Sequence, residues 1–216
     1  MDGLLIDSER IAQQCCIQAG LDLGFAIDEA LARTFLGVTK EGCIQILKNE
    51  FPAINSEIFY QHSHHLFDSM LSENLTTKPG AVELLKHLTQ TGFPFALASS
   101  SSQQRVNKSL RLTNIASFFP ERIRITSEKA LHSKPEPDLF LAAASCISVA
   151  PKNCLVLEDS ENGIKSGRSA GCIVCMIPDL IPFSDKLEQW CDFVADDLYD
   201  VLSFISTHNL TRKTPE

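Results

Sequence analysis

Residues 154–177 read CLVLEDSENGIKSGRSAGCIVCMI. A short apolar run, Cys154–Leu157, passes through a polar break and a helix-length stretch, Asn162–Ala170, into a second apolar run, Ile173–Ile177. Apolar runs of four to six residues are strand-sized, and a helix between two of them is the crossover that parallel strands require. The alternation extends outward from this unit. Upstream lie helix Ala81–Thr91, strand Phe93–Ala98, helix Gln103–Leu112, a short strand Arg122–Ile125 and helix Asp138–Val149. Downstream, a short strand around Phe193–Ala195 precedes helix Leu198–Ile205. The expected fold class is therefore α/β, a Rossmann-like parallel sheet covered by helices on both faces.

Before Pro79-Gly80 the texture differs. Ile11–Ala19, Asp28–Phe35, Lys40–Phe51 and Ser56–Leu71 are helical in pattern, broken by Gly20, Gly24, Gly37 and Pro52, and no strand is evident. The division expected is a core of residues 1–9 and 76–216 with an all-helical cap, residues 10–75, inserted near its start. There is no internal repeat, and Thr207–Glu216 reads as a frayed polar tail.

With 216 residues and 44% apolar content, the chain can bury a real core as one domain carrying a modest insertion. Its 19 Lys and Arg against 27 Asp and Glu leave a net charge of -8, so no nucleic acid or membrane partner is expected. Any anion that binds must be attracted by local groups. The longest apolar runs fall far short of the roughly 20 residues of a membrane helix. No basic segment opens a signal peptide, and the chain reads as cytoplasmic. Cysteines 15, 16, 43, 146, 154, 172, 175 and 191 sit mostly in apolar segments and are expected to be buried free thiols.

In open parallel sheets, ligands bind beyond the carboxyl ends of the strands, so the residues following each strand carry the chemistry. Strand Phe93–Ala98 runs into Ser99, Ser100, Ser101 and Ser102, where a hydroxyl and the amides opening a helix suit phosphate; taken alone, an ordinary helix N-cap with loop serines is the commoner explanation. Lys134 lies between His132-Ser133 and Pro135-Glu136-Pro137-Asp138, a backbone fixed by two prolines, although a loop lysine is commonly just a solvated charge. Strand Cys154–Leu157 ends in Glu158-Asp159. Adjacent carboxylates at the end of a buried strand repel and want a counter-ion, for which hard oxygens suit Mg²⁺, or they serve as an acidic helix cap. Asp2-Gly3 puts a carboxylate before a glycine turn.

Asp2-Gly3, Ala96-Leu97-Ala98-Ser99, Ser133-Lys134-Pro135 and Leu157-Glu158-Asp159-Ser160, in that order around a small helical insertion, resemble the four motifs of the haloacid dehalogenase superfamily. The match is to its β-phosphoglucomutase-like phosphatase branch and spans nearly the whole chain. The resemblance implies a phosphomonoester hydrolase with a Mg²⁺ cofactor held by Glu158, Asp159 and the Asp2 carbonyl. Catalytic roles fall to Asp2, Ser99 and Lys134, and Ser99, Ser100 and Lys134 would hold the phosphoryl group. Lys40, in a cap loop following Leu36-Gly37-Val38-Thr39, becomes the specificity candidate, or else a plain lysine at a helix start, where the dipole disfavours it. The expected partner is a small phosphorylated metabolite, and the expected state a monomer or weak dimer.

One departure stands out. In the family, an aspartate nucleophile precedes the acid/base Asp by two residues, a position directly upstream of Met1. An N-terminally truncated first motif is the expectation, with an apolar strand ending in Asp missing, and the 216-residue polypeptide by itself is expected to be inactive and of low stability. Two alternatives to the phosphatase are a sugar phosphomutase and a catalytically dead binding module. Mutases of the branch carry a histidine about ten residues after the acid/base Asp, where Ala12 stands here, which favours hydrolysis. Cys172-x-x-Cys175 lies in an apolar strand pattern rather than at a helix start, and reads as core. His62, His64 and His65 read as a solvent-facing cluster.

Overall fold

The computed structural model describes residues 1–36, 38 and 40–207. It divides into two compact units: Asp7–Thr76, and Met1–Ile6 together with the chain from Thr77 onward.

The first unit is helical: α1 Ser8–Asp22, α2 Glu29–Thr34, α3 Lys40–Glu50 and α4 Ser56–Asn74. α1 buries Ile11, Cys15 and Ala19, and α4 buries Phe59, Ser63, Phe67 and Leu71, each at the four-residue step that stacks side chains on one helix face. Asp28 caps α2 by accepting from the Leu31 amide at 2.8 Å, and the Asn55 side chain caps α4 by accepting from Glu57 and Ile58. Phe35, Leu47 and Phe59 form the centre of this unit, with the Phe25 ring 4.9 Å from Phe51 and 5.8 Å from Phe59.

The second unit runs α5 Ala81–Gln90, β1 Leu97–Ala98, α6 Gln103–Leu112, β2 Arg124–Ile125, α7 Asp138–Cys146, β3 Leu155–Glu158, α8 Glu161–Ser169, β4 Ile173–Met176, β5 Phe193–Val194 and α9 Leu198–Thr207. All its strand pairs are parallel. β1 pairs with β2, and β4 lies between β3 and β5, with Glu158 opposite Met176. The fold class expected from the sequence is thus the one found. Val156, Val174 and Met176 pack beneath Ile164 and Phe140. α8 approaches this sheet so closely that a Cβ at Gly167 would lie 3.1 Å from both Val156 and Val174. Ala98 packs against this cluster and also against the one formed by Ile125, Leu139 and Ala143, so the two sheets share apolar contacts.

Some expectations need correcting. The apolar run Phe93–Ala98 contributes only Leu97 and Ala98 to a ladder, because β1 has a partner on one side alone and Pro94 has no amide to donate. α7 stops at Cys146 rather than Val149, since Ser148 turns to a left-handed φ of 56°. All eight cysteines are free, but only Cys15, Cys172 and Cys175 are buried; the other five are partly exposed. Of the tail and the loop Gly37–Lys40, residues 208–216, Gly37 and Thr39 lie outside the described residues. Among the described residues no helix is long and apolar enough to cross a membrane.

Candidate active site at the ends of β1 and β3

Three segments of the second unit meet at the carboxyl ends of its strands. β3 delivers Glu158, which is 4% exposed despite its charge. Its neighbours explain how the carboxylate survives there. Lys134 Nζ forms an ion pair with Oε1, and the Ser160 hydroxyl donates to Oε2 at 3.0 Å. Gly163 leaves the necessary space, because a Cβ at that position would overlap the Glu158 carboxylate. Burial pushes the Glu158 carboxyl up, but the Lys134 charge, with hydrogen bonds from Lys134 and Ser160, outweighs it and holds the group below its usual range. At Asp159 the balance reverses: burial and the adjacent Glu158 charge push it up to about 7.

Lys134 is fixed by its loop. The Lys134–Pro135 peptide is cis, the Glu136 amide donates to Ser133 O at 3.0 Å, and the Ser166 hydroxyl of α8 donates to Glu136 O at 2.6 Å. The ammonium also lies 4.9 Å from the Phe140 ring.

Asp2 sits on a closed loop. Gly3 takes φ of 69°, a region that favours glycine, and its amide donates to Ile6 O at 3.1 Å. The Leu4, Leu5 and Ile6 amides all point at Met1 O. The Asp2 carboxylate accepts from the Ser101 hydroxyl at 3.0 Å. Ser99 is 3% exposed, and its hydroxyl accepts from the Ser101 amide at 3.1 Å. Ser100 is exposed, and Ser102 caps α6 through the Arg105 amide. The serine run therefore divides its work: Ser102 is the helix cap, while Ser99 and Ser101 face the Asp2 loop.

The structure thus joins Asp2 to the Ser99–Ser101 loop, and Lys134 to Glu158. Lys40 belongs to the helical unit, where its ammonium lies 3.0 Å from Glu57 and 5.4 Å from the Tyr60 ring centre. Among the described residues no three His, Cys, Asp or Glu side chains gather as a metal-holding group. The histidines do not form one either: His62 is bonded to Asp22 at 2.7 Å, and His64 stacks on Tyr60. Glu158 and Asp159 are nevertheless hard oxygen donors crowded side by side, with one carboxyl pushed toward neutrality, and that chemistry fits a hard divalent cation joined by a backbone carbonyl. Ser101, Ser160 and Gly163 escaped the sequence reading as functional positions. The run Ser99–Ser102 was the signal for Ser101, and the Ser160-Glu161-Asn162-Gly163 helix start, directly after the acidic pair, the signal for Ser160 and Gly163.

Residues 1–177 match the model of the haloacid dehalogenase-like hydrolases. The chain belongs to this family. Among haloacid dehalogenase-like hydrolases it is 34% identical over 187 residues to a Drosophila melanogaster protein named probable pseudouridine-5'-phosphatase, covering 83% of this chain and 79% of that one. It is 29% identical over 177 residues to hexitol phosphatase A of Escherichia coli, covering 82% and 80%. In fold it resembles a haloacid dehalogenase family hydrolase from Deinococcus radiodurans solved with bound phosphate and sodium. The TM-score is 0.84 at 24% identity, over 99% of this chain and 96% of that one.

Proposed function

We propose that this chain is a Mg²⁺-dependent phosphatase of a small phosphorylated metabolite, a sugar or polyol phosphate, acting in the cytoplasm through an aspartyl-phosphate. The observation that carries the reading is the convergence within one unit of an aspartate bonded to a serine loop and a lysine paired with a strand-end glutamate. The names of the relatives, a pseudouridine-5'-phosphatase and a hexitol phosphatase, support a phosphomonoester of a sugar-like alcohol as substrate.

In this reading the Ser99 hydroxyl and the Ser100 amide, in the loop just before α6, bind phosphoryl oxygens. Lys134 shares its charge between Glu158 and the phosphoryl group. Asp2 protonates the leaving alkoxide and then takes a proton from the attacking water, with the Ser101 hydroxyl fixing its orientation. The attacking carboxylate is assigned by the resemblance to the position directly upstream of Met1. Glu158, Asp159 and the Asp2 carbonyl would hold Mg²⁺, which when bound offsets the crowding of negative charge between carboxylate and phosphate. Lys40 is kept as the specificity residue of the helical unit.

The test uses p-nitrophenyl phosphate and a panel of sugar and polyol phosphates, with Mg²⁺ or with chelator. It compares the 216-residue chain with a form extended upstream by an apolar strand ending in Asp. Turnover is expected in the extended form, dependent on Mg²⁺ and lost in Asp2→Asn. An extended form that folds yet hydrolyses nothing on the panel would overturn the reading. If the 216-residue chain itself turns over and Asp2→Asn abolishes it, Asp2 is the nucleophile and the first motif is shifted by two residues.

A further inference from the structure

A buried ion pair lies outside the residues discussed so far. Lys78 Nζ is 2.6 Å from Asp179 Oδ1; the two side chains are 17% and 3% exposed and 101 residues apart in sequence. Surface pairs of this type do little, but a pair this enclosed fixes the geometry of whatever backbone carries it.

Both backbones lead to the catalytic segments. The Lys78 amide donates to Leu5 O at 2.9 Å, and Ile6 bridges Thr77, so Lys78 is stitched to the closed loop whose second residue is Asp2. Asp179 follows β4 by three residues, and at the end of that strand the Ile177 amide donates to Glu158 O at 2.7 Å. One ion pair therefore connects the loop presenting Asp2 to the segment pinned against Glu158. We propose that Lys78, held by Asp179, is a positioning residue for Asp2. It sets the Asp2 carboxylate through the Leu5 carbonyl and touches no substrate. The inference rests on the phosphatase reading only in naming Asp2 as the acid/base.

The test pairs an activity measurement with two that need no turnover. In the 216-residue chain, Lys78→Met should make the Gly3–Ile6 amides exchange at least about tenfold faster while β3 and β4 amides keep their protection. It should also move the carboxyl-carbon resonance of Asp2, and Lys78→Arg, which keeps the charge, should restore both. A double variant, Lys78→Met with Asp179→Leu, guards against simple unfolding, because a packed apolar pair can replace a buried ion pair without loss of stability. It should be folded yet show the same displaced Asp2 signal.

In the form that turns over p-nitrophenyl phosphate, Lys78→Met should lower kcat by about 10²-fold with KM nearly unchanged, as expected for a misplaced catalytic group. An Asp2 resonance and Gly3–Ile6 exchange that match the unaltered chain would overturn the proposal, as would unchanged kcat. If no form turns over any phosphomonoester, the phosphatase reading falls, and the exchange and resonance data still decide the role of Lys78.

Discussion

Lys134 is placed to carry both stability and, in the proposed reaction, chemistry. As a loop lysine it reads as removable without harm to the fold, but its ammonium is the main partner of a carboxylate that is 4% exposed. Removing one member of a buried pair leaves the other charge uncompensated, at about 3–5 kcal/mol. Lys134→Ala should therefore abolish turnover and also lower the melting temperature by roughly 10 °C. Adding Glu158→Gln should recover the melting temperature but not the activity, and calorimetry beside a phosphatase assay separates the two. Gly163 tests the same seat. A Cβ there would overlap the Glu158 carboxylate, and because that carboxylate is buried and held by Lys134 and Ser160, it can move aside only by giving up those partners. Gly163→Ala should therefore lower the melting temperature by several degrees and cut kcat at least about tenfold; a variant that keeps both would show that the seat of Glu158 has slack. As candidates, Ser99 and Glu158 could be picked out because each sits at the end of a strand, and Asp2 and Lys134 because each lies in a short motif beside a glycine or prolines. Ser101, Gly163 and the Lys78–Asp179 pair were not, because their roles depend on contacts made only after the chain folds back on itself.

At the scale of elements, the helices were the most readable parts, since an apolar face repeats over three or four turns, and β3 and β4 followed from their apolar runs. β1 and β2 are shorter than the expected Phe93–Ala98 and Arg122–Ile125 because ladder length depends on neighbours, not on the residues alone. The junction of β1 with α6 is held by three ties to the end of β2 and the segment after it. Ser99 N donates to Ile125 O, Ser127 N donates to Ser101 O, and Gln103 N donates to both Glu128 oxygens at 2.9 and 3.1 Å. The Thr126 hydroxyl, the Gln103 amide and its own backbone draw the Glu128 carboxyl down from an ordinary 4.5 to about 2. A carboxyl depressed in the folded state stabilises the fold above its unfolded value, and that contribution disappears as pH falls through the folded one. Stability should consequently decline from about pH 4.5 toward about pH 2, and Glu128→Gln should flatten that part of the curve, as read from urea midpoints at low salt. Because Glu128 is exposed, the difference should shrink as salt is raised. An identical pH profile in both proteins would mean that Glu128 does not tie down the serine loop.

For the whole molecule, the arrangement of the sheets is the decisive feature. Among the described residues β1 pairs only with β2, and β3 pairs only with β4, although Ala98 of β1 packs against the cluster that holds Val156 of β3. The second edges of β1 and β3 thus carry backbone groups that an added parallel strand could pair. About five apolar side chains entering such a position would contribute roughly 1.5–3 kcal/mol each, comparable to the whole stability of a domain at about 5–15 kcal/mol. A form extended directly upstream of Met1 by an apolar strand ending in Asp should accordingly melt at least about 10 °C above the 216-residue chain. The same extension ending in Asn should gain the same stability and no turnover, because the pairing is made by backbone while the proposed attack on phosphorus needs a carboxylate. Equal turnover in the Asp and Asn forms would take the nucleophile away from that position. An unchanged melting temperature would mean that the edges of β1 and β3 are not the seat of an added strand, and that the two sheets are already complete as they stand.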